Sequence, residues 1–486
     1  MNANHYIACD LGAESGRVVL GTLEDERVTL EEIHRFPNGP VNVFGSLRWD
    51  VLRLFDELRV GLRKVTARGI KVKSLSCDSW GVDYVLLRDR EPMLTAPYHY
   101  RDARTDGGLE RAFTVVARDT IFAETGIQFM SINTLYQFQA EVAHRSWAMK
   151  SADRFLNIGD YFNYLFSGVA KAEESLASTT QLYRPKKHVW SKKLIRGFRF
   201  PKAIFPEVVP SGTVLGLALP EFGLTGAEVV AGCSHDTAAA VAAVPADGRG
   251  WAYVSSGTWS LLGIELKKPI LTEKARQCNF TNEIGYDGSI RFLKNIVGLW
   301  IVQECRRSWS ESGEPMSYEQ LTERAAHAPA MQALIHPSDP RFVKPGNMPE
   351  KIVDFCRETG QPVPCDAGGT VRCVLESLAL LYRQTLDEIE DVTGKSITKL
   401  HIVGGGGRNR LLNQFAANAT GRTILAGPIE ATAAGNVLIQ AIALGQLQSL
   451  EALRNVVRNS FAVETYRPAD VENWQKTYER FKGLSE

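Results

Sequence analysis

Residues 6–23 read YIACDLGAESGRVVLGTL, and residues 251–266 read WAYVSSGTWSLLGIEL. Each stretch is an apolar run, a turn of small and polar residues and a second apolar run, which is the pattern of a β-hairpin. In the first, strands are expected over residues 6–9 and 17–23, with the turn at 10–16 and a third strand over 28–36. The recurrence in the second half suggests an internal duplication, although strand, glycine turn, strand is common enough for one such pair to arise by chance. A turn-rich linker, PADGRG at 245–250, separates the halves, so the expected domains are residues 1–245 and 246–486.

Working outward, the spacing of Val51, Leu54, Phe55, Leu58, Leu62 and Val65 predicts a helix over 50–68 that Gly69 closes. A strand carrying SLSCDSWGVDYVLL (74–87) follows. EVVAG (228–232) is a strand that leads through SHD into the alanine-rich helix TAAAVAAV. Near the C-terminus a long helix over 370–392 stops at Gly394. It is followed by the strand LHIVGG, a glycine turn, a helix from Asn409 to Gly421, the strand TILAG and a helix ending at Gly445. Strands alternating with helices imply a parallel sheet with crossovers, and an α/β fold.

The chain has 486 residues, too many for one ordinary core, so two domains are expected. Lys plus Arg (56) nearly balances Asp plus Glu (55), and there is no long block of one sign. Neither nucleic acid nor an anionic membrane is therefore an expected partner. The eight cysteines are scattered without a CxxC pair, which points to reduced thiols in a cytoplasmic protein. No stretch of about 18 apolar residues suggests a membrane span, and the N-terminus does not read as a signal peptide.

Four loops can carry chemistry. Asp10 ends a buried strand and enters Ala13-Glu14-Ser15-Gly16-Arg17, a tight turn whose backbone N–H groups suit phosphate oxygens. Asp10 suits a magnesium ion, which prefers oxygen ligands and keeps much of its water. Ordinary turn hydrogen bonds explain this loop equally well, and Arg17 reaches either a phosphate or, more commonly for such a residue, a surface carboxylate. Ser255-Ser256-Gly257-Thr258 is the matching turn of the second hairpin. In Ser234-His235-Asp236-Thr237, Asp236 is either a helix cap or a carboxylate held ionised by the helix dipole and free to accept a proton. His235 either orients a substrate oxygen or simply packs. Gly404 to Gly407 precede a helix, which suits close approach of a nucleotide or a purely architectural turn.

Familiar nucleotide motifs fail. Gly394-Lys395-Ser396 ends like a Walker A loop, but Ile389 stands where its first glycine belongs. Tyr100-Arg101-Asp102 resembles a protein-kinase catalytic loop without the rest of that set, and Asn409 replaces the third glycine of a GxGxxG run.

DLGAESGR, CDSWGVDYVLL, YRDART, IQFMSINTLYQ, SHDTAAAV, AYVSSGTWSLLG, FLKNIVGLW, LESLALLY and LHIVGGGGRNRLLNQ, in this order, closely resemble segments of the FGGY family of carbohydrate kinases. The resemblance implies a two-domain actin-like (ribonuclease H-like) ATPase fold, with duplicated β-sheet cores and an inter-domain cleft. It implies an ATP-dependent sugar kinase with Asp236 as catalytic base. Gly81, His235, Thr237 and Asn295 are the implied sugar contacts, and Asp83 is added because family members place polar sugar-binding groups on its loop. Ala13, Glu14, Ser15, Gly16, Arg17, Thr258, Gln303 and Gly405 are the implied ATP contacts, and Asp10 and Asp236 would face Mg2+.

The expected acceptor is the C1 hydroxyl of L-rhamnulose, with L-fuculose, L-xylulose or a non-kinase actin-like ATPase as alternatives. The implied partners are the sugar and MgATP, for a monomer or homodimer. The wider family prefers threonine in the first phosphate turn. The Ala13-Glu14 pair departs from that, and a carboxylate there needs a compensating cation, magnesium or Arg17. The family varies at Arg408, so its role stays open. Comparable cysteines occur among some members, which leaves Cys356 and Cys373 open between a disulfide and the thiols a cytoplasmic setting favours.

Overall fold

The computed structural model of the chain describes residues 3–89, 95–144 and 147–485. It divides into two compact units. The first comprises Met1–Pro245, Glu265–Leu293 and Ala431–Phe461; the second comprises Ala246–Ile264, Lys294–Glu430 and Ala462–Glu486.

The first unit is built on a six-stranded sheet in the order Thr213–Leu217, Glu228–Ala231, Val72–Ser79, Asn4–Leu11, Ser15–Glu24, Arg27–Pro37. Asn4–Leu11 and Ser15–Glu24 form the expected antiparallel hairpin, which sets Asp10 opposite Arg17. Asn4–Leu11 also runs parallel to Val72–Ser79, so Asp10 lies beside Asp78. Ile7, Ala8, Cys9 and Leu11 are all fully buried rather than alternately exposed, because the sheet is covered on both faces. The helix Val51–Thr66 covers one face, burying Leu54, Leu58, Leu62 and Val65; Asp50 caps it by accepting from the Arg53 N–H at 3.1 Å. The helix Ala431–Ala443 lies on the strands too: its Gln440 amide donates to the Ile7 carbonyl at 3.0 Å.

The strand expected across SLSCDSWGVDYVLL is two strands, Val72–Ser79 and Tyr84–Leu87, in different sheets. Val82, between them, has φ +66°, a left-handed conformation costly for a β-branched residue. Local alternation does not reveal such a break, because the side chains that hold it come from distant segments.

The second unit repeats the arrangement. Trp251–Ser256 and Trp259–Leu266 form an antiparallel hairpin, and Trp251–Ser256 runs parallel to Lys399–Val403, which runs parallel to Thr423–Ala426. The helix Ala367–Thr393 ends where Gly394 turns left-handed at φ +66° and donates to the Glu390 carbonyl. The helix Arg410–Thr420 begins at the cap Asn409, whose side chain accepts from the Leu412 N–H, and stops at Gly421. These ends follow the sequence because capping is decided by the residues at the end itself. Among the described residues no helix is long and apolar enough to cross a membrane. All eight cysteines, Cys356 and Cys373 among them, are free.

The helix that starts at Asp236, Asp236–Ala242, packs on Ala431–Ala443 within the first unit. The alanines and Gly435 let the two backbones approach closely: a Cβ on Gly435 would lie 1.9 Å from the Ala239 carbonyl oxygen. Gly435→Ala is therefore expected to force the helices apart. In denaturant unfolding it should destabilise by roughly 1–3 kcal/mol, as overpacking does.

Candidate active site

Asp236 is the first residue of its helix, and His235 occupies the cap position. The loop before it is pinned from two sides. The Ser79 N–H donates to the Ser234 carbonyl at 2.8 Å, while the Ser234 N–H donates to Glu173 Oε2 at 3.0 Å and the His235 N–H to Ser175 Oγ at 3.1 Å. Asp236 Oδ1 accepts from the Thr237 N–H at 2.5 Å and from Thr237 Oγ1 at 3.1 Å.

Of the two roles open to Asp236 in the sequence, one was a carboxylate held ionised by the helix dipole. Instead its pKa is pushed up to about 7, first by burial and then by the charge of Asp10, and the bonds from Thr237 only partly offset this. A carboxyl that titrates near neutrality suits a general base.

Arg17 is committed to Asp10: its Nε and Nη2 donate to Asp10 Oδ2 at 2.9 and 2.7 Å. The carboxylate it meets is not a surface one, since Asp10 is buried. The turn itself is closed by the Gly12 N–H on the Ser15 carbonyl at 2.9 Å; Glu14 is exposed, and Ser15 Oγ accepts from Arg35 at 3.1 Å.

Gly81 sits where a Cβ would press on the Thr179 side chain at 3.1 Å. Asp83 is fully buried inside a ring of protein donors. Its Oδ2 accepts from Trp49 Nε1 at 2.5 Å, Trp80 Nε1 at 3.0 Å and the Tyr100 N–H at 3.1 Å, and its Oδ1 accepts from Gln137 Nε2 at 2.8 Å. Burial raises its pKa to about 6 despite those bonds. Asp83 thus holds the strained turn at Val82 in place. Asp83→Ala leaves these donors buried without an acceptor, and chemical unfolding should show a loss of more than about 3 kcal/mol.

In the second unit, Thr258 closes the second hairpin turn. Its carbonyl accepts from the Gly298 and Trp300 N–H groups at 3.2 and 3.1 Å, which ties the turn to the start of the helix Trp300–Glu311. Gln303 lies on that helix, and its Oε1 is buried without a hydrogen-bond partner. Gly404 has φ +85°, and a Cβ there would lie 3.0 Å from the Ser256 carbonyl, so the glycine loop packs closely on the second turn. A Cβ on Gly405 would meet nothing within 4 Å, leaving an open face. Asn295 belongs to the part of strand Ile290–Val297 that lies in this unit.

The structure therefore places Asp10, Ala13 to Arg17, Gly81, Asp83, His235, Asp236 and Thr237 in the first unit and Thr258, Asn295, Gln303 and Gly405 in the second. Sequence reasoning missed Asp78. It is fully buried, its pKa is pushed well up by burial and then by Asp10, and Asn436 Nδ2 donates to its Oδ2 at 2.5 Å. The available signal was its place in CDSWG, at the end of the strand that pairs with the one carrying Asp10. Arg291 and Glu283, both near His235, gave no local signal.

Among the described residues no group of three His, Cys, Asp or Glu side chains forms a metal cage. The donor set nevertheless fits a magnesium ion carried by a phosphate ligand, which needs only one or two protein carboxylates. The charge of Asp10 already raises the pKa of Asp236, so a cation there relieves a repulsion.

The architecture is that of solved sugar and polyol kinases. It resembles a xylulose kinase from Lactobacillus acidophilus with TM-score 0.81 at 14% identity, covering 99% of this chain and 97% of that one. A Plasmodium falciparum glycerol kinase gives TM-score 0.79 at 16% identity, covering 99% and 98%. Models of the N- and C-terminal domains of the FGGY family of carbohydrate kinases match residues 5–243 and 252–444, and the chain belongs to that family. It is 40% identical to a rhamnulokinase from Bacteroides thetaiotaomicron, over 98% of this chain and 99% of the relative. A rhamnulokinase from Enterococcus faecalis is 41% identical over 98% and 97%, and one from Bacillus subtilis 38% over 96% of each.

Proposed function

We propose that the chain transfers the γ-phosphate of ATP to the C1 hydroxyl of L-rhamnulose, giving ADP and L-rhamnulose 1-phosphate. The observation that carries this is the likeness to rhamnulokinases over nearly the whole chain, at about two identities in five residues. The chemistry of Asp236 agrees with it. As a carboxylate it takes the proton from the primary hydroxyl while that oxygen attacks the γ-phosphorus in line, and the bond to the ADP oxygen breaks. His235, Thr237, Gly81 and Asn295 orient the sugar, and Asp83 acts by shaping the turn at Gly81 and Val82.

Ala13, Glu14, Ser15, Gly16, Arg17, Thr258, Gln303 and Gly405 form the proposed ATP contacts. Asp10 and Asp236 would hold Mg2+, which supplies charge neutralisation of the phosphates. Arg17, bonded to Asp10, holds that carboxylate oriented for this task. The residues 1–245 and 246–486 are read as a sugar-side and an adenosine-side domain. The proposed setting is the cytoplasm, with a monomer or homodimer acting on small molecules alone.

The test is coupled ADP release with L-rhamnulose, L-fuculose, L-xylulose, D-xylulose and glycerol. L-Rhamnulose should give the highest kcat/KM. A different best substrate overturns the sugar assignment, and release that no sugar stimulates overturns the kinase reading.

Asp236→Asn should lower sugar-dependent turnover by ~100-fold to 10,000-fold, the usual worth of a general base. Its melting temperature should hold or rise, because the repulsion with Asp10 is removed. In the wild type the base must be deprotonated, so kcat/KM for the sugar should plateau above about pH 7 and fall as pH drops below it. A flat profile from pH 5 to 8 contradicts the assignment.

A further inference from the structure

The hairpin of Thr281–Ile284 with Ile290–Val297 sets Glu283 directly opposite Arg291. Arg291 is fully buried; its Nη2 lies 3.0 Å from Glu283 Oε2, and its Nε donates to the Ile284 carbonyl at 3.2 Å. Gly285 makes the room, since a Cβ there would lie 3.2 Å from Arg291 Cγ and 2.6 Å from Ser289 Oγ. The same Nη2 stands 2.9 Å from Nδ1 of His235.

A guanidinium has only donors, so His235 Nδ1 must present its lone pair to it. Glu283 Oε2 is 3.6 Å from that nitrogen, beyond hydrogen-bond reach, and cannot compete as an acceptor for an Nδ1 proton. With Nδ1 turned to the guanidinium as an acceptor, the ring has one nitrogen left to carry a proton. The single proton is left on Nε2, which lies 3.5 Å from Asp236 Oδ1. That oxygen is already taken up by the Thr237 N–H and hydroxyl.

We propose that Arg291, anchored by Glu283, is a positioning residue that fixes His235 as its Nε2–H tautomer and so places an N–H donor beside the Asp236 carboxylate for a sugar oxygen. The pair then reads two neighbouring oxygens by opposite chemistry. Asp236 accepts from the hydroxyl that reacts, and His235 donates to an oxygen next to it. In a 2-ketose the neighbour of the C1 hydroxyl is the C2 oxygen, which as a carbonyl can only accept. This rests on the reading of Asp236 as the base for a sugar hydroxyl.

The first test needs no substitution. In 15N-histidine-labelled enzyme, the long-range proton–nitrogen spectrum of His235, assigned by its loss in His235→Gln, should show protonation at Nε2; protonation at Nδ1 overturns the proposal. The second is a cycle. Arg291→Met should raise the sugar KM about tenfold, the scale of one lost hydrogen bond, with the ATP KM within about twofold. In the His235→Gln background the same substitution should change the sugar KM by less than about twofold; equal losses in both backgrounds make Arg291 merely structural and overturn the proposal.

Should Arg291→Met not fold, Glu283→Gln with Arg291→Met leaves no unpaired buried charge and carries the same expectation. A wild type that phosphorylates no ketose overturns the sugar contact along with the functional reading, whereas the spectrum still decides the tautomer.

Discussion

Two carboxylates of the first unit, Asp78 and Asp236, feel the charge of a third, Asp10; Asp78 is fully buried, while the Asp236 side chain is 28% exposed. Burying charge of one sign is costly, so the surrounding structure is arranged to offset it. Arg17 takes Asp10, the Asn436 amide takes Asp78, and the N–H and hydroxyl of Thr237 take Asp236. The compensation is unequal. Asp10 is paired with a guanidinium, whereas Asp78 and Asp236 accept from neutral donors that only partly offset the rise in pKa caused by burial and then by Asp10. This inequality leaves Asp236 ready to exchange a proton near neutral pH.

The compensating groups are themselves held by buried hydrogen bonds. Asn436 shares a helix face with Gln440, which donates to Asn436 Oδ1 at 2.7 Å and to the Ile7 carbonyl at 3.0 Å, and accepts from Ser74 Oγ at 2.7 Å. One turn of helix thereby fixes the strand that carries Asp10 and the strand that carries Asp78. On the other side of Asp236, the Glu283–Arg291 pair fixes His235. A buried polar network of this kind favours one arrangement, because displacing a bonded member strands its buried donor or acceptor.

Much of this was legible in the amino-acid order. Hairpins, helix ends and the position of Asp236 follow from alternation, caps and glycine turns, which act over a few residues. The turn at Trp80 to Asp83 was not legible: a continuous strand is the natural reading of SLSCDSWGVDYVLL. The donors that break it, Trp49, Tyr100 and Gln137, come from three separate segments. For the same reason Asp83 looks like a sugar-binding carboxylate in the sequence and proves to be surrounded by protein donors in the fold.

The sequence by itself determined the family and the duplicated hairpins and supplied the short list of residues proposed for phosphoryl transfer, since these depend on residue type and local spacing. Only the tertiary structure decided what those residues are in physical terms. Arg17 is the partner of Asp10, Asp236 is a carboxyl titrating near neutrality instead of one held ionised by a helix, and His235 faces a guanidinium that settles where its proton sits. Protonation and pairing depend on burial and on charges brought together from far along the chain, and no local pattern encodes them.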